Sequence, residues 1–218
     1  MSDAAGVVID NEVFHMCERM EVNARVFEVR RLLGKGKGGY SYLVEDPSNG
    51  ALFVAKQIHH EQCDYYSFGD KLESEIRDYN RLAEIGLPMP SLVDVDVGCE
   101  RILKQYIPGR TILEHIVAGS MDESFLEQVK SMCRLVHRAG LNIDYFPTNF
   151  VVDDGSVASS NAGRLFYIDY ECNEYMERWD FEHWGIKYWS MTPELEEYLS
   201  SRPDAAGKSN ESPEGENI

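Results

Sequence analysis

The chain contains no long apolar run. None approaches the roughly 18 consecutive apolar residues that a membrane-spanning helix requires, so a helical membrane protein is not expected. The first twenty residues, MSDAAGVVIDNEVFHMCERM, lack a basic stretch followed by an apolar one, so no secretory signal is expected either. Cysteine is sparse: five residues, at 17, 63, 99, 133 and 172, with no C-x-x-C pair. An odd, dispersed set suits neither a disulfide framework nor a zinc knuckle, and it points to a reducing cytoplasm. Positive charge is scarce as well, with 21 Lys and Arg against 38 Asp and Glu and a net charge of −17. Such a field repels phosphate backbones and anionic membranes, so neither direct nucleic-acid binding nor membrane association is expected. A protein this acidic that binds a polyanion must gather its few lysines, or a divalent metal, at the site.

What is present is core material. Of 218 residues 43% are apolar, with 12 Tyr, 9 Phe and 3 Trp, enough for one domain or two small lobes. Residues 11–22 place Val13, Phe14, Cys17 and Met20 at helical spacing, which predicts a short helix in an N-terminal extension over 1–24. Residues 25–33 alternate like a strand. YSYLV and ALFVAKQI flank the turn DPSNG (46–50) and read as a hairpin. From 69 to 86 Leu72, Ile76, Tyr79, Leu82 and Ala83 share a helical face, and Gly86 and Pro88 end it. SLVDVDVG and RILKQYI read as two more strands, broken by the Pro-Gly at 108–109.

A second helix is expected over 122–139, with Phe125, Val129, Met132, Leu135 and Val136 on its stripe and Gly140 as its stop. FVVDD and RLFYIDY are short strands around a polar loop, and 174–200 reads as mostly helical. From 203 onward the acidic tail has almost no apolar content and is expected to be disordered. Strands early and helices late predict an α+β fold of two lobes, over 25–107 and 108–202.

Chemistry-bearing residues recur along this order. GKGKGG at 34–39 matches G-x-G-x-x-G with Gly34, Gly36 and Gly39, and glycines let a backbone approach phosphates because no Cβ intervenes. A dinucleotide site would set such glycines between a strand and a helix. Here β-like YSYLV follows, which favours a glycine-rich turn folded over a nucleotide. Lys56 lies in the apolar strand ALFVAKQI, one hairpin beyond that turn. A Lys in an apolar setting needs a carboxylate, because an unpaired buried charge is costly. The following helix offers Glu75, or else Glu73. Asp144 and Asn149 stand five apart in NIDYFPTN, with Pro147 between them and an apolar strand after. Such a loop caps local N–H groups, or it carries chemistry.

Taken together, the glycine loop, V-A-K with Lys56, helix Glu75, the hinge-like KQYIPG (104–109), NIDYFPTN (142–149) and IDYE (168–171) resemble the protein-kinase-like superfamily over roughly residues 27–171. The resemblance implies a two-lobed protein-kinase-like fold with a β-rich N-lobe and a reduced helical C-lobe. It implies ATP and Mg²⁺ as cofactors. Gly34, Lys35, Gly36 and Gly39 would line the phosphates, Lys56 would engage them held by Glu75, and Gln105, Tyr106 and Ile107 would form the hinge that holds the nucleotide. Asn149 and Asp169 would bind Mg²⁺, and Asp144 would accept the proton of the attacking hydroxyl.

Departures from the family pattern are specific. Asn142 and Ile143 replace the His and Arg of H-R-D, and Phe146 replaces the Lys or His that often follows that Asp by two. Tyr170 and Glu171 replace the Phe and Gly of D-F-G, and no A-P-E occurs. Lys35 or Lys37 would have to supply the cation lost at Phe146. The 49 residues after Asp169 are too few for the helical lobe of ordinary protein kinases. That brevity resembles minimal members: RIO-type kinases, the small kinase of the tRNA threonylcarbamoyl complex, and lipopolysaccharide-core sugar kinases. The expected activity is an ATP- and Mg-dependent transfer to a hydroxyl, on protein Ser or Thr. Its rivals are a sugar- or aminoglycoside-type kinase and a pseudokinase that binds nucleotide or serves only as an interaction module. The aromatic stretch 174–189 either recognises substrate or, with Trp179, Trp184 and Tyr188, covers the base of the second lobe. His137 reads as a helix-terminal residue.

Overall fold

A computed structural model describes residues 19–36, 38–60, 70–156 and 163–201. The chain divides into two compact units, Met1–Tyr66 with Leu92–Tyr106, and Ser67–Ser91 with Ile107–Ile218.

The first unit is a six-stranded antiparallel sheet. Its strands are β1 (Arg19–Val22), β2 (Arg25–Lys35), β3 (Gly39–Glu45), β4 (Leu52–Ile58), β5 (Leu92–Asp96) and β6 (Arg101–Gln105), in the order β1-β2-β3-β4-β6-β5. The DPSNG turn closes β3 onto β4 as expected. Asp46 accepts from the Ser48 hydroxyl and N–H, and Gly50 takes a φ of 73°. One face buries Met20, Val22, Phe27, Val44, Ala55 and Leu103, with Phe53 edge-on to Phe27 at 5.8 Å. Two register shifts between β2 and β3, at 29/31 and 32/34, add local bend and twist.

Residues 19–22 are strand, which corrects that end of the helix expected over 11–22. Met20 and Val22 are buried while Arg19 and Glu21 are exposed, a period of two that the helical count had absorbed. Val13, Phe14 and Cys17 lie outside the described residues. The β1–β2 turn uses Asn23 and Ala24 at φ 45° and 65°. Asn23 ties it to β5 by donating from its N–H to Asp96 and from its side chain to Asp94 and the Val95 carbonyl, each at 2.9 Å.

The second unit holds the helices. α1 (Lys71–Glu84) starts at Asp70, whose carboxylate accepts from the Glu73 N–H. It ends in a turn where Leu87 N–H reaches the Leu82 carbonyl and Gly86 sits at φ 74°. Ala83 is exposed rather than on the buried stripe, and buried Asp78 takes a place there. Arg77 and Arg81 flank the Asp78 carboxylate, at 3.2 and 3.9 Å. β7 (Gly109–Thr111) leads into α2 (Ile112–Val117), an element the sequence reading passed over. A capping box of Thr111 and Glu114 opens it. α3 (Glu123–Arg138) buries Phe125, Val129, Met132 and Val136 and stops at Gly140.

β8 (Leu141–Ile143) pairs with β11 (Cys172–Glu174), and β9 (Phe150–Asp153) lies between β7 and β10 (Leu165–Tyr167). Residues 174–200 are not mostly helical. Two 3-10 turns, Glu177–Trp179 and Gly185–Tyr188, precede a single helix α4 (Pro193–Ser201). Asp180 and Gly185 break the run. Asp180 caps the His183 N–H, and a Cβ on Gly185 would stand 2.6 Å from the Tyr145 Cβ. Phe150, Phe181, Trp189 and Leu195 join the residues of α2 and α3 in one core. The acidic tail falls outside the described residues. No described helix is long and apolar enough to cross a membrane.

Candidate active site

In the first unit, Gly34 and Lys35 end β2, Gly36 begins the turn and Gly39 opens β3. The Gly36 N–H donates to the Gly39 carbonyl at 2.9 Å, so these two glycines are bridged between paired strands, as the β-like neighbours required. The glycines have different jobs. A Cβ on Gly39 would lie 2.3 Å from the Gln57 carbonyl oxygen, so that glycine serves strand packing. Among the described residues, a Cβ on Gly38 would meet only the end of the Lys56 side chain, Nζ at 3.5 Å and Cε at 3.7 Å. Gly38, absent from the G-x-G-x-x-G count, is therefore the residue that stands over Lys56. Lys56 sits mid-β4, opposite Ser41 and Ile102. Lys35 lies 5.1 Å from the Tyr40 ring centre, a cation–π contact, and Lys37 is outside the described residues. Gln105 ends β6 exposed, and Tyr106 beside it is buried.

The second unit holds Glu75, Ile107, Asp144, Asn149 and Asp169. Ile107 is buried against Val151 and Phe166. Glu75 is half-buried on α1 and its charge acts on Tyr170, whereas Glu73 is exposed in the first turn. Asp144 follows β8. Its carboxylate accepts from the Phe146 N–H at 3.0 Å, which aims the group, and the residue is exposed. Pro147–Asn149 forms one 3-10 turn with Pro147 buried, so the proline stiffens the loop. The Asn149 amide donates to the Asp144 carbonyl at 3.4 Å, and the Asn149 carbonyl accepts from the Ile168 N–H at 2.9 Å. Asp169 is the next residue. Asp144, Asn149 and Asp169 are thus carried on adjoining segments of one unit, brought there by the β9·β10 pairing.

Two neighbours were not legible as site residues. The Trp189 indole N–H donates to the Tyr145 carbonyl at 2.7 Å, inside the loop. The Tyr167 hydroxyl, fully buried, touches the backbones of Asp144 and Glu171. Burial and then the charges of Asp169 and Asp144 push the Tyr167 hydroxyl well above the ordinary tyrosine range, so it stays protonated. Asn142 and Ile143, which stand where the family has His and Arg, are buried. The Asn142 side chain donates to the Met176 carbonyl, and Ile143 pairs with Cys172. Phe146 packs on Tyr188 and Tyr198, at 5.3 and 4.6 Å. Among the described residues, Cys99, Cys133 and Cys172 are free thiols. Burial and the nearby Asp78 push the Cys172 thiol up to about 11.

For Mg²⁺, the donor set is suitable in kind. Asp169 and Asn149 offer hard oxygens. Among the described residues no three His, Cys, Asp or Glu side chains group as a metal cage.

No protein-family model matches the chain. A probable bifunctional tRNA threonylcarbamoyladenosine biosynthesis protein of Methanococcus maripaludis (strain C7 / ATCC BAA-1331) is 26% identical over 183 residues, which cover 81% of this chain and 31% of that protein. The chain spans about a third of that relative's length. Among solved structures, the BubR1 kinase domain is similar at a TM-score of 0.49 and 20% identity, over 73% of this chain and 52% of that one. The motif resemblance includes the small kinase of the tRNA threonylcarbamoyl complex, and the Methanococcus relative is named for the same biosynthesis.

Proposed function

We propose that this protein is an ATP- and Mg²⁺-dependent phosphotransferase of minimal kinase type, acting on a hydroxyl of a protein Ser or Thr. One observation carries the reading: the turn Pro147–Asn149 brings the Asn149 amide to the Asp144 carbonyl, and the Asn149 carbonyl accepts from the N–H of Ile168, the residue before Asp169. Within the first unit, the side-chain-free Gly38 lies against the Lys56 ammonium, an arrangement that suits phosphate oxygens. Asp144, aimed by the Phe146 N–H, orients the acceptor hydroxyl and takes its proton. Asp169 and Asn149 would hold Mg²⁺, which when bound neutralises charge on the transferred phosphoryl group. The name of the Methanococcus relative supports an acceptor within an assembly for tRNA threonylcarbamoyladenosine biosynthesis.

A second reading has its own observation. Phe146 is packed among aromatic rings where the family often has a cation, which favours a nucleotide-binding protein without turnover. Two measurements separate them. ATP with Mg²⁺ raises the melting temperature by mass action in either case, and millimolar nucleotide without a shift refutes both. With γ-labelled ATP, the enzyme yields labelled product or free phosphate. Asp144→Ala stops this while keeping the thermal shift, whereas binding with no turnover selects the second reading.

A further inference from the structure

We propose that Tyr167 is a positioning residue for phosphoryl transfer, its hydroxyl fixing the separation of the segment that carries Asp144 from the segment that carries Asp169; this rests on the function proposed above. Tyr167 ends β10 and is fully buried. Its hydroxyl accepts from the Asp144 N–H at 3.3 Å and donates to the Glu171 carbonyl at 2.9 Å. The phenol cannot wander. Its own N–H donates to the Pro88 carbonyl at 3.0 Å, and its ring lies 5.2 Å from that of Phe150.

The register shows what the oxygen does. β8 and β11 pair Asn142 with Asn173 and Ile143 with Cys172, so the next rung would join Asp144 to Glu171. The ladder stops there, and the phenol oxygen stands between the N–H and the carbonyl that this rung would bring together. It satisfies both groups and keeps the two segments apart. Asp169 lies two residues before Glu171, so this separation sets how far the carboxylate of Asp144 stands from that of Asp169. Carboxylates collapsed together would leave no room for an ion and a phosphoryl group, and catalysis of this kind is mostly positioning.

The test is Tyr167→Phe in the full chain, which removes one oxygen and keeps the ring. The variant is expected to retain the ATP·Mg²⁺ thermal shift and a KM for ATP within about twofold, while kcat falls about tenfold or more, the scale of two lost hydrogen bonds. Exchange of the Asp144 amide proton, read by NMR, should accelerate by about tenfold or more through loss of its acceptor. Tyr175→Phe, which removes a hydroxyl bonded to Asp180 in the same unit, is the control and should leave kcat unchanged. An active wild type with equal kcat in Tyr167→Phe overturns the proposal and leaves the function standing. An equal loss in Tyr175→Phe overturns it as well. A wild type with no turnover refutes the enzymatic reading and the positioning role together. Should Tyr167→Phe not fold, the wild type still decides: an Asp144 amide that exchanges at the open-chain rate overturns the proposal, and strong protection supports it.

Discussion

Replacing each glycine of the turn by alanine should separate packing from phosphate binding. Gly39 opens β3 opposite Ile58, and an added Cβ would lie 2.3 Å from the Gln57 oxygen and 3.0 Å from its carbonyl carbon. Both atoms are backbone in the β3–β4 ladder, so relief requires moving a central strand. Overpacking of this kind costs roughly 1–3 kcal/mol. In a unit of this size each kcal/mol lowers the melting temperature by about 4–8 °C, so Gly39→Ala should lose about 10 °C. Gly34 has nothing within 4 Å of its Cβ position, and Gly34→Ala should be neutral or gain up to about 1 kcal/mol from lower chain entropy. Gly38→Ala should sit between them in stability, because its only neighbour is the flexible end of Lys56, yet it should weaken nucleotide binding most. The assay is thermal unfolding followed by far-UV circular dichroism, with and without ATP·Mg²⁺. Amide exchange on β3 and β4 assigns the loss to the first unit, since all three tryptophans lie in the second. Gly39→Ala melting within 2 °C of wild type, an interval about the error of such scans, would refute the steric reasoning. So would an equal loss in Gly34→Ala.

Lys56→Ala should lose most of the nucleotide-induced thermal shift while the ligand-free protein melts within a few degrees of wild type; equal losses would make Lys56 structural. Trp189→Phe leaves the buried Tyr145 carbonyl without its indole donor, a cost of about 1–3 kcal/mol visible in urea unfolding, and an unchanged midpoint would show the bond to be dispensable. The Asp180–His183 pair sets a pH dependence. The Asp180 hydrogen bond holds His183 above its ordinary 6.5, so its contribution is whole below that pH and is lost as pH rises through the raised value. Burial pushes Asp180 up, but the His183 N–H and ring outweigh it and hold Asp180 below 3.8, so its contribution is present above that pH and lost on further acidification. The melting-temperature advantage of wild type over His183→Gln should therefore peak between about pH 4 and 6.5, and a difference that is flat from pH 4 to 9 would contradict the pairing.

The long amphipathic elements were legible because their signals are local. α1 and α3 each carry an aspartate cap, a periodic apolar stripe and a terminal glycine, all within one stretch of chain. β1 was not legible, since its turn depends on Asn23 reaching Asp94 and Asp96, more than 70 positions away. The turn also places Ala24 at φ 65°, a conformation no residue preference announces. The stretch 174–200 misled for a related reason. Its charged and aromatic residues fit a helical count, yet Gly185 must pack against Tyr145 and Phe181, and a continued helix cannot make that approach. In the site, the Asp144–Asn149 spacing is a local property and could be read. Tyr167 is 23 residues from Asp144, and a tyrosine in an apolar strand gives no sign of where its hydroxyl ends.

The loop around Asp144 shows how the departures from the family pattern fit together. Where His and Arg would precede the aspartate, Asn142 is anchored to the Met176 carbonyl and Ile143 is a rung of β8·β11. Where a cation often follows, Phe146 is wedged between Tyr188 and Tyr198. The Trp189 indole holds Tyr145 from behind, and the Tyr167 hydroxyl holds the Asp144 N–H. Every one of these braces is neutral, and Met176, Tyr188 and Trp189 come from the aromatic stretch 174–189, whose plain reading was a cover for the base of the lobe. Met176 and Trp179 of that stretch are exposed, but its Tyr188 and Trp189, together with Tyr198 of α4, act on the loop itself. Because phosphoryl transfer depends on position and on neutralising charge, neutral bracing can supply the first and not the second. In the function proposed above a divalent ion would supply that charge; in the first unit, the Lys56 ammonium, one of few cations in an acidic chain, stands 3.5 Å from the Cβ position of Gly38.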